Sequence, residues 1–288
     1  MKKFIAVVAI VFVLAGFGLG KFNFEGASTA SNASDSVKNM VGNVTNGIQQ
    51  AVSGINSALP DRGPSPATSS NLASLSYRSG SSVVITVNNN QSTLNPADWK
   101  GNKVIYSNLD SLNRTSQPNT GYLEERNLAG DTLRVRQIVK PSGWHQKFSN
   151  GEAILNRGHL IAYSLSKGIA YTGQYNPDLQ SGDQNNPKNL FTQTAFSNQE
   201  IQTIYESKVR EALKQGKKVI YQAQAIFNGN DLMAKGVQLQ AVSTDRSLNF
   251  NVFIFNVQPG FQFNYANGTS RVDRSMTVPK ADAPHANN

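Results

Sequence analysis

An α+β fold follows from three features of the sequence. Alternating or β-branched runs lie on both sides of its middle, one long amphipathic helix separates them, and aromatic residues are numerous enough to build a core. The chain has 288 residues, 39% of them hydrophobic and 16% charged, with 14 Phe, 9 Tyr and 2 Trp. That composition suits one domain of about 200 residues with appendages.

The appendages come first. Lys2 and Lys3 precede an uncharged run over residues 4–20, the pattern of a secretory signal or of an uncleaved anchor. Small residues at Ala27, Ser28, Ala30 and Ala33 offer cleavage sites after Ala30 or Ala33. A retained anchor would leave the two lysines inside and the remaining chain outside. Residues 1–30 are therefore expected to be a signal peptide or membrane anchor, with the protein secreted or held on the outer face of the cell membrane. Residues 31–74 are rich in Ser, Asn, Ala and Gly, include Pro60, Pro64 and Pro66, and read as a flexible tether. The folded domain is expected over 75–280 and a disordered tail over 281–288.

Within the domain, strands are expected at 81–88, 103–106, 132–139, 217–227, 237–243 and 248–257. The third alternates as Leu133, Val135, Gln137 and Val139. A helix is expected over 198–215, ending at Gly216. Ser197 and Glu200 form a capping-box pattern at its start, and Ile201, Ile204, Tyr205, Val209, Ala212 and Leu213 make its apolar face. Lys214, Lys217 and Lys218 lie at its C-terminal end, where cations complement the helix dipole.

Composition also excludes chemistries. With no cysteine there is no disulfide, Cys-ligated zinc, iron–sulfur cluster or thiol nucleophile, and three histidines argue against a multi-His metal cage. The net charge is +9. From residue 75 onward the balance is 22 basic minus 15 acidic, or +7, so the positive charge travels with the domain. That favours polyanionic partners.

The residues that carry chemistry lie between 156 and 210. Asn156-Arg157-Gly158-His159 joins a guanidinium suited to phosphate, a glycine allowing close backbone approach, and an imidazole able to take a proton near neutral pH. On the helix, Asn198, Gln202, Glu206 and Arg210 recur every fourth residue and form one polar stripe. Asn198 and Glu206 are about 12 Å apart along a helix axis, too far for both to bind one ion directly. Arg134 and Arg136 alternate on the expected strand and are candidate phosphate contacts. His145, beside Trp144, reads as a packing or substrate-edge residue.

This ordered set resembles the DNA/RNA non-specific endonuclease family with a ββα-metal active site. Asn156-Arg157-Gly158-His159 is similar to that family's Asp-Arg-Gly-His signature, and Asn189-Leu190-Phe191-Thr192-Gln193, Asn198-Gln199, Glu206 and Arg210 follow in the family's order. The branch it looks most like comprises DNA-uptake nucleases and streptococcal extracellular DNases of Gram-positive bacteria. The resemblance implies a central antiparallel β-sheet with flanking helices and a ββα-metal finger. It implies His159 as general base, Asn198 as direct ligand of one Mg²⁺ (Mn²⁺ substituting), Glu206 as a partner behind that ligand, Arg157 and Arg210 as phosphate contacts, and Asn189 as a polar support. The activity implied is sequence-nonspecific hydrolysis of DNA, with RNA as a second substrate, to 5′-phosphate products. No protein partner is expected, and the membrane is one only if the anchor is retained. The departure is Asn156, where the family's commonest residue is Asp. Its competing reading is a non-catalytic surface DNA-binding protein on the same scaffold.

Overall fold

The computed structural model describes residues 71–130, 132 and 134–279. The expected targeting segment, nearly all of the tether and the expected tail lie outside the described residues. Strands run in chain order as β1 (Val84–Thr86), β2 (Lys103–Ile105), β3 (Asn119–Leu123), β4 (Phe148–Ser149), β5 (Glu152–Ala153), β6 (Leu155–His159) and β7 (Leu190–Thr194). After a helical stretch come β8 (Val219–Ile226), β9 (Gly236–Ser243), β10 (Asn249–Phe255), β11 (Phe261–Asn264) and β12 (Thr269–Val272). Six of them form one antiparallel sheet in the order β1-β10-β9-β8-β3-β2, while β4–β5, β6–β7 and β11–β12 are separate two-stranded ribbons.

The central strands owe their place to strict alternation. Tyr221, Ala223 and Ala225 of β8 pair with Ala241, Leu239 and Val237 of β9, and these pair with Phe250, Val252 and Ile254 of β10. All belong to the main apolar core. On the opposite face the same register aligns amides. Gln240 Nε2 donates to Gln222 Oε1 at 2.9 Å, and Gln238 Nε2 to Asn251 Oδ1 at 2.9 Å. Ser92 and Thr93 cover this ladder, both donating to Gln240 Oε1. Hydrogen bonding is what lets a buried strand carry glutamines at every second position.

The helix differs from its expected form at its start. Phe196–Gln202 is a π-helical turn that continues into the α-helix α1, Thr203–Lys214. Ser197 does not cap it. The Ser197 amide donates to Thr194 Oγ1, and the Ser197 hydroxyl accepts from Gln193. Val209, Ala212 and Leu213 of α1 pack into the core on the apolar sheet face, and Tyr205 meets Phe250 with ring centroids 5.3 Å apart.

Two further expectations change. The strand expected at 132–139 does not form over its described residues. Val135 and Ile138 are exposed there, and the segment is held instead by side chains of a loop, with Asn185 Oδ1 accepting from the Ile138 amide at 2.9 Å. Alternation alone therefore did not mark a strand, because no neighbouring strand offers backbone partners. Leu72, expected within the tether, is fully buried in the core.

Two buried asparagines fix the β6–β7 ribbon to the sheet. Asn256 accepts from the Thr194 amide at 2.8 Å and donates to the carbonyls of Thr192 and Ala234, both at 3.0 Å. Asn189 accepts from the Ile161 amide at 2.8 Å and donates to the Ile161 carbonyl at 2.9 Å, which holds the chain just beyond His159.

Candidate active site

The ribbon and the helix after it form a β-β-α unit, and the sequence dictates how closely they pack. Asn156 of β6 lies opposite Gln193 of β7, and Gly158 opposite Phe191. A Cβ at Gly158 would collide with Gln193 Oε1 and lie 2.7 Å from Gln193 Cβ. Glycine at this position lets the Gln193 side chain lie flat across β6. From there Gln193 Nε2 reaches Ser197 Oγ at 3.1 Å and Gln202 Oε1 at 2.9 Å, so the ribbon is joined to the helix by buried amides.

Above this junction opens a cleft of about 710 Å³. Asn156, Arg157 and His159 from β6, Asn198 from the π-helical turn, Glu206 and Arg210 from α1, and Arg134 from the 134–139 segment all line it. Seven of the nine residues expected at the site are thus brought together. Asn189 is fully buried outside the cleft and supports the backbone beyond His159. Arg136 is exposed and does not line it.

His159 keeps an edge toward the cleft while burial depresses its imidazole pKa to about 4. A hydrogen bond to the Gln184 backbone opposes that shift, and the Arg134 charge adds to it. The ring is neutral at pH 7. Its Nε2 lies 3.4 Å from Gln137 Nε2, which also donates to the Gln184 carbonyl at 3.2 Å.

Glu206 is pushed above the ordinary carboxylate range by burial. The Gln202 hydrogen bond and the charges of Arg210 and Arg134 pull the other way. Gln202 Nε2 donates to Glu206 Oε1 at 2.8 Å, and Arg210 Nη1 lies 3.8 Å from Glu206 Oε2. The helix stripe read from sequence is therefore no solvated face: Gln202 is fully buried and Glu206 nearly so.

The arginines are held by stacking and hydrogen bonds. The Arg157 guanidinium lies 4.5 Å from the Trp144 ring centroid and donates through Nε to the Val139 carbonyl. Arg134 lies 5.0 Å from the ring centroid of Tyr163, and Arg210 Nη1 donates to Ser164 Oγ at 2.9 Å. Three guanidinium groups against one carboxylate give the cleft a positive balance suited to phosphodiester oxygens. Trp144, Tyr163 and Gln137 were not singled out from sequence for these roles.

Among the described residues no three His, Cys, Asp or Glu side chains cluster to cage a metal. The cleft instead offers the hard oxygen of Asn198 as a direct donor, with Asn156 and Glu206 lining the same cleft as acceptors for waters around an ion. That donor set fits a divalent cation that keeps most of its waters. It does not fit a soft or fully protein-ligated metal.

Comparison with known proteins identifies the family. The family described as DNA/RNA non-specific endonuclease matches residues 75–272. Similar solved structures include NucA from Streptococcus agalactiae with magnesium ion bound. It is 32% identical over 66% of this chain and 88% of NucA, with a TM-score of 0.57. NucA from the same organism with no metal bound is 30% identical over 68% and 90% of the two chains, with a TM-score of 0.56. The match over more than half its length shows that this chain belongs to the DNA/RNA non-specific endonuclease family and is a nuclease acting on nucleic acid.

Proposed function

We propose that this nuclease hydrolyses DNA, and RNA as a second substrate, without sequence preference and outside the cell, with His159 as general base and Mg²⁺ held through Asn198. The carrying observation is that a neutral imidazole, Asn198, Glu206 and three arginines line one cleft. The neutral His159 imidazole takes the proton of the attacking water. The new oxygen–phosphorus bond forms as the bond to the 3′-oxygen breaks; that oxygen takes a proton from a solvent water, leaving 5′-phosphate and 3′-hydroxyl ends. Arg157, Arg210 and Arg134 bind the phosphate oxygens and stabilise the charge that gathers on them. Glu206 keeps its carboxylate directed at the site through Gln202 and Arg210. When bound, Mg²⁺ supplies Lewis-acid relief of charge on the phosphate and the leaving oxygen. Because the cleft meets phosphates through guanidinium groups, its recognition is independent of base sequence. Lys2 and Lys3 before the uncharged run 4–20 support export, either secreted or anchored on the outer membrane face.

Plasmid digestion by the full chain with Mg²⁺ or EDTA, beside His159→Ala and Asn198→Ala, tests the proposal. Cutting is expected to need the metal and both side chains, and Asn156→Asp is expected to preserve or raise it. A folded wild-type protein that binds DNA in a salt-sensitive way yet cuts with neither Mg²⁺ nor Mn²⁺ overturns it.

A further inference from the structure

We infer that Gln202 is the positioning residue of this site, fixing the Glu206 carboxylate relative to the His159 main chain. The inference rests on the roles proposed above for His159 and Glu206. Gln202 is fully buried, and every polar atom of its side chain is engaged. Its Nε2 donates to the His159 carbonyl oxygen at 2.9 Å and to Glu206 Oε1 at 2.8 Å. Its Oε1 accepts from Gln193 Nε2 at 2.9 Å.

The His159 carbonyl oxygen settles which end of the amide points where. A carbonyl only accepts, so Gln202 must turn its nitrogen to β6 and Glu206 and its oxygen to Gln193 Nε2 on β7. One buried amide thereby ties strand β6, strand β7 and helix α1 together at the level of the base. Arg210 holds only the other carboxylate oxygen, at 3.8 Å, which leaves Gln202 as the short contact to Glu206. Replacing the amide with a group of similar size but no donor lets the carboxylate turn away while the packing persists. Small displacements of this kind reduce turnover more than binding, because the phosphate contacts of the arginines are untouched.

A double-mutant cycle distinguishes positioning from general support. Steady-state plasmid cleavage and thermal unfolding are measured for the full-length wild type, Gln202→Met, Glu206→Gln and the double mutant. Gln202→Met is expected to lower kcat about 10- to 100-fold with KM changed less than about threefold. In the Glu206→Gln background the same change is expected to cost less than about threefold, because the carboxylate it positions is gone. Equal fold-losses in both backgrounds, or a folded Gln202→Met protein with wild-type kcat, overturn the inference. Where Met at 202 does not fold, Gln202→Asn makes the same test, since it retracts the amide by one methylene yet stays polar. If Glu206→Gln and His159→Ala themselves cut like the wild type, the reading of the site falls whatever Gln202 does. A loss confined to the Gln202 step of the cycle overturns only the positioning role.

Discussion

Gly158→Ala is the most demanding test of how the ribbon packs on the helix. The added methyl meets Gln193 Oε1, which by itself could swing aside as the end of a flexible chain. Gln193 Cβ, however, lies 2.7 Å from the same position and moves only with strand β7, which Asn256 holds at two points, the Thr194 amide and the Thr192 carbonyl. Relief therefore means pushing the ribbon apart or turning Gln193 out of place. Overpacking of this kind and the loss of the buried bonds from Gln193 to Ser197 and Gln202 together cost about 2–5 kcal/mol. For a domain of about 200 residues that corresponds to a drop in Tm on the order of 5–15 °C. Circular-dichroism melting of the wild-type and Gly158→Ala proteins measures it. Nuclease activity assayed well below both melting points should also fall, since Gln193 orients Gln202. A variant that melts within about 1 °C of the wild type would refute the packing argument.

Other outcomes follow from the same structure. The native His159 pKa of about 4 lies below its ordinary value of 6.5, so between these values the unfolded chain binds a proton that the native protein does not. The stability due to neutral His159 is present above pH 6.5 and is lost as the pH falls toward 4. Urea unfolding at pH 7 and pH 4.5 should show the wild type losing about 2 kcal/mol more than His159→Ala, and equal losses would refute the depressed pKa. Leu72→Ala should destabilise the domain by about 2–5 kcal/mol, because that side chain is fully buried in the core. Unchanged denaturant midpoints would return residue 72 to the tether.

The site was more legible than the fold around it. The order of Asn156, Arg157, His159, Asn198, Glu206 and Arg210 was readable because local spacing on one strand and one helix fixes their sequence. The strands of the ribbon were not. Leu155–His159 and Leu190–Thr194 are short and polar, and neither alternates in the way that marked β8, β9 and β10. Strand character there comes from pairing across an intervening stretch of some thirty residues, which leaves no periodic trace. The reverse error occurred at 132–139, where alternation was present and pairing was not.

The sequence by itself determined the α+β class, the positive charge of the domain, the exclusion of cysteine chemistry and the order of the candidate site residues. Those properties reside in residue types and in local periodicity. Tertiary structure decided which polar residues are buried and what they touch. Gln202 and Glu206 belong to a polar helix stripe whose spacing alone says nothing of burial, and the ribbon, seated by Gly158 and Asn256, closes over them. Arg134 reached the cleft and Arg136 did not, although they stand two residues apart. The physical reason is that burial and hydrogen bonding depend on segments far apart in the chain. His159 is held neutral by what surrounds it, and its own four-residue motif does not encode those surroundings.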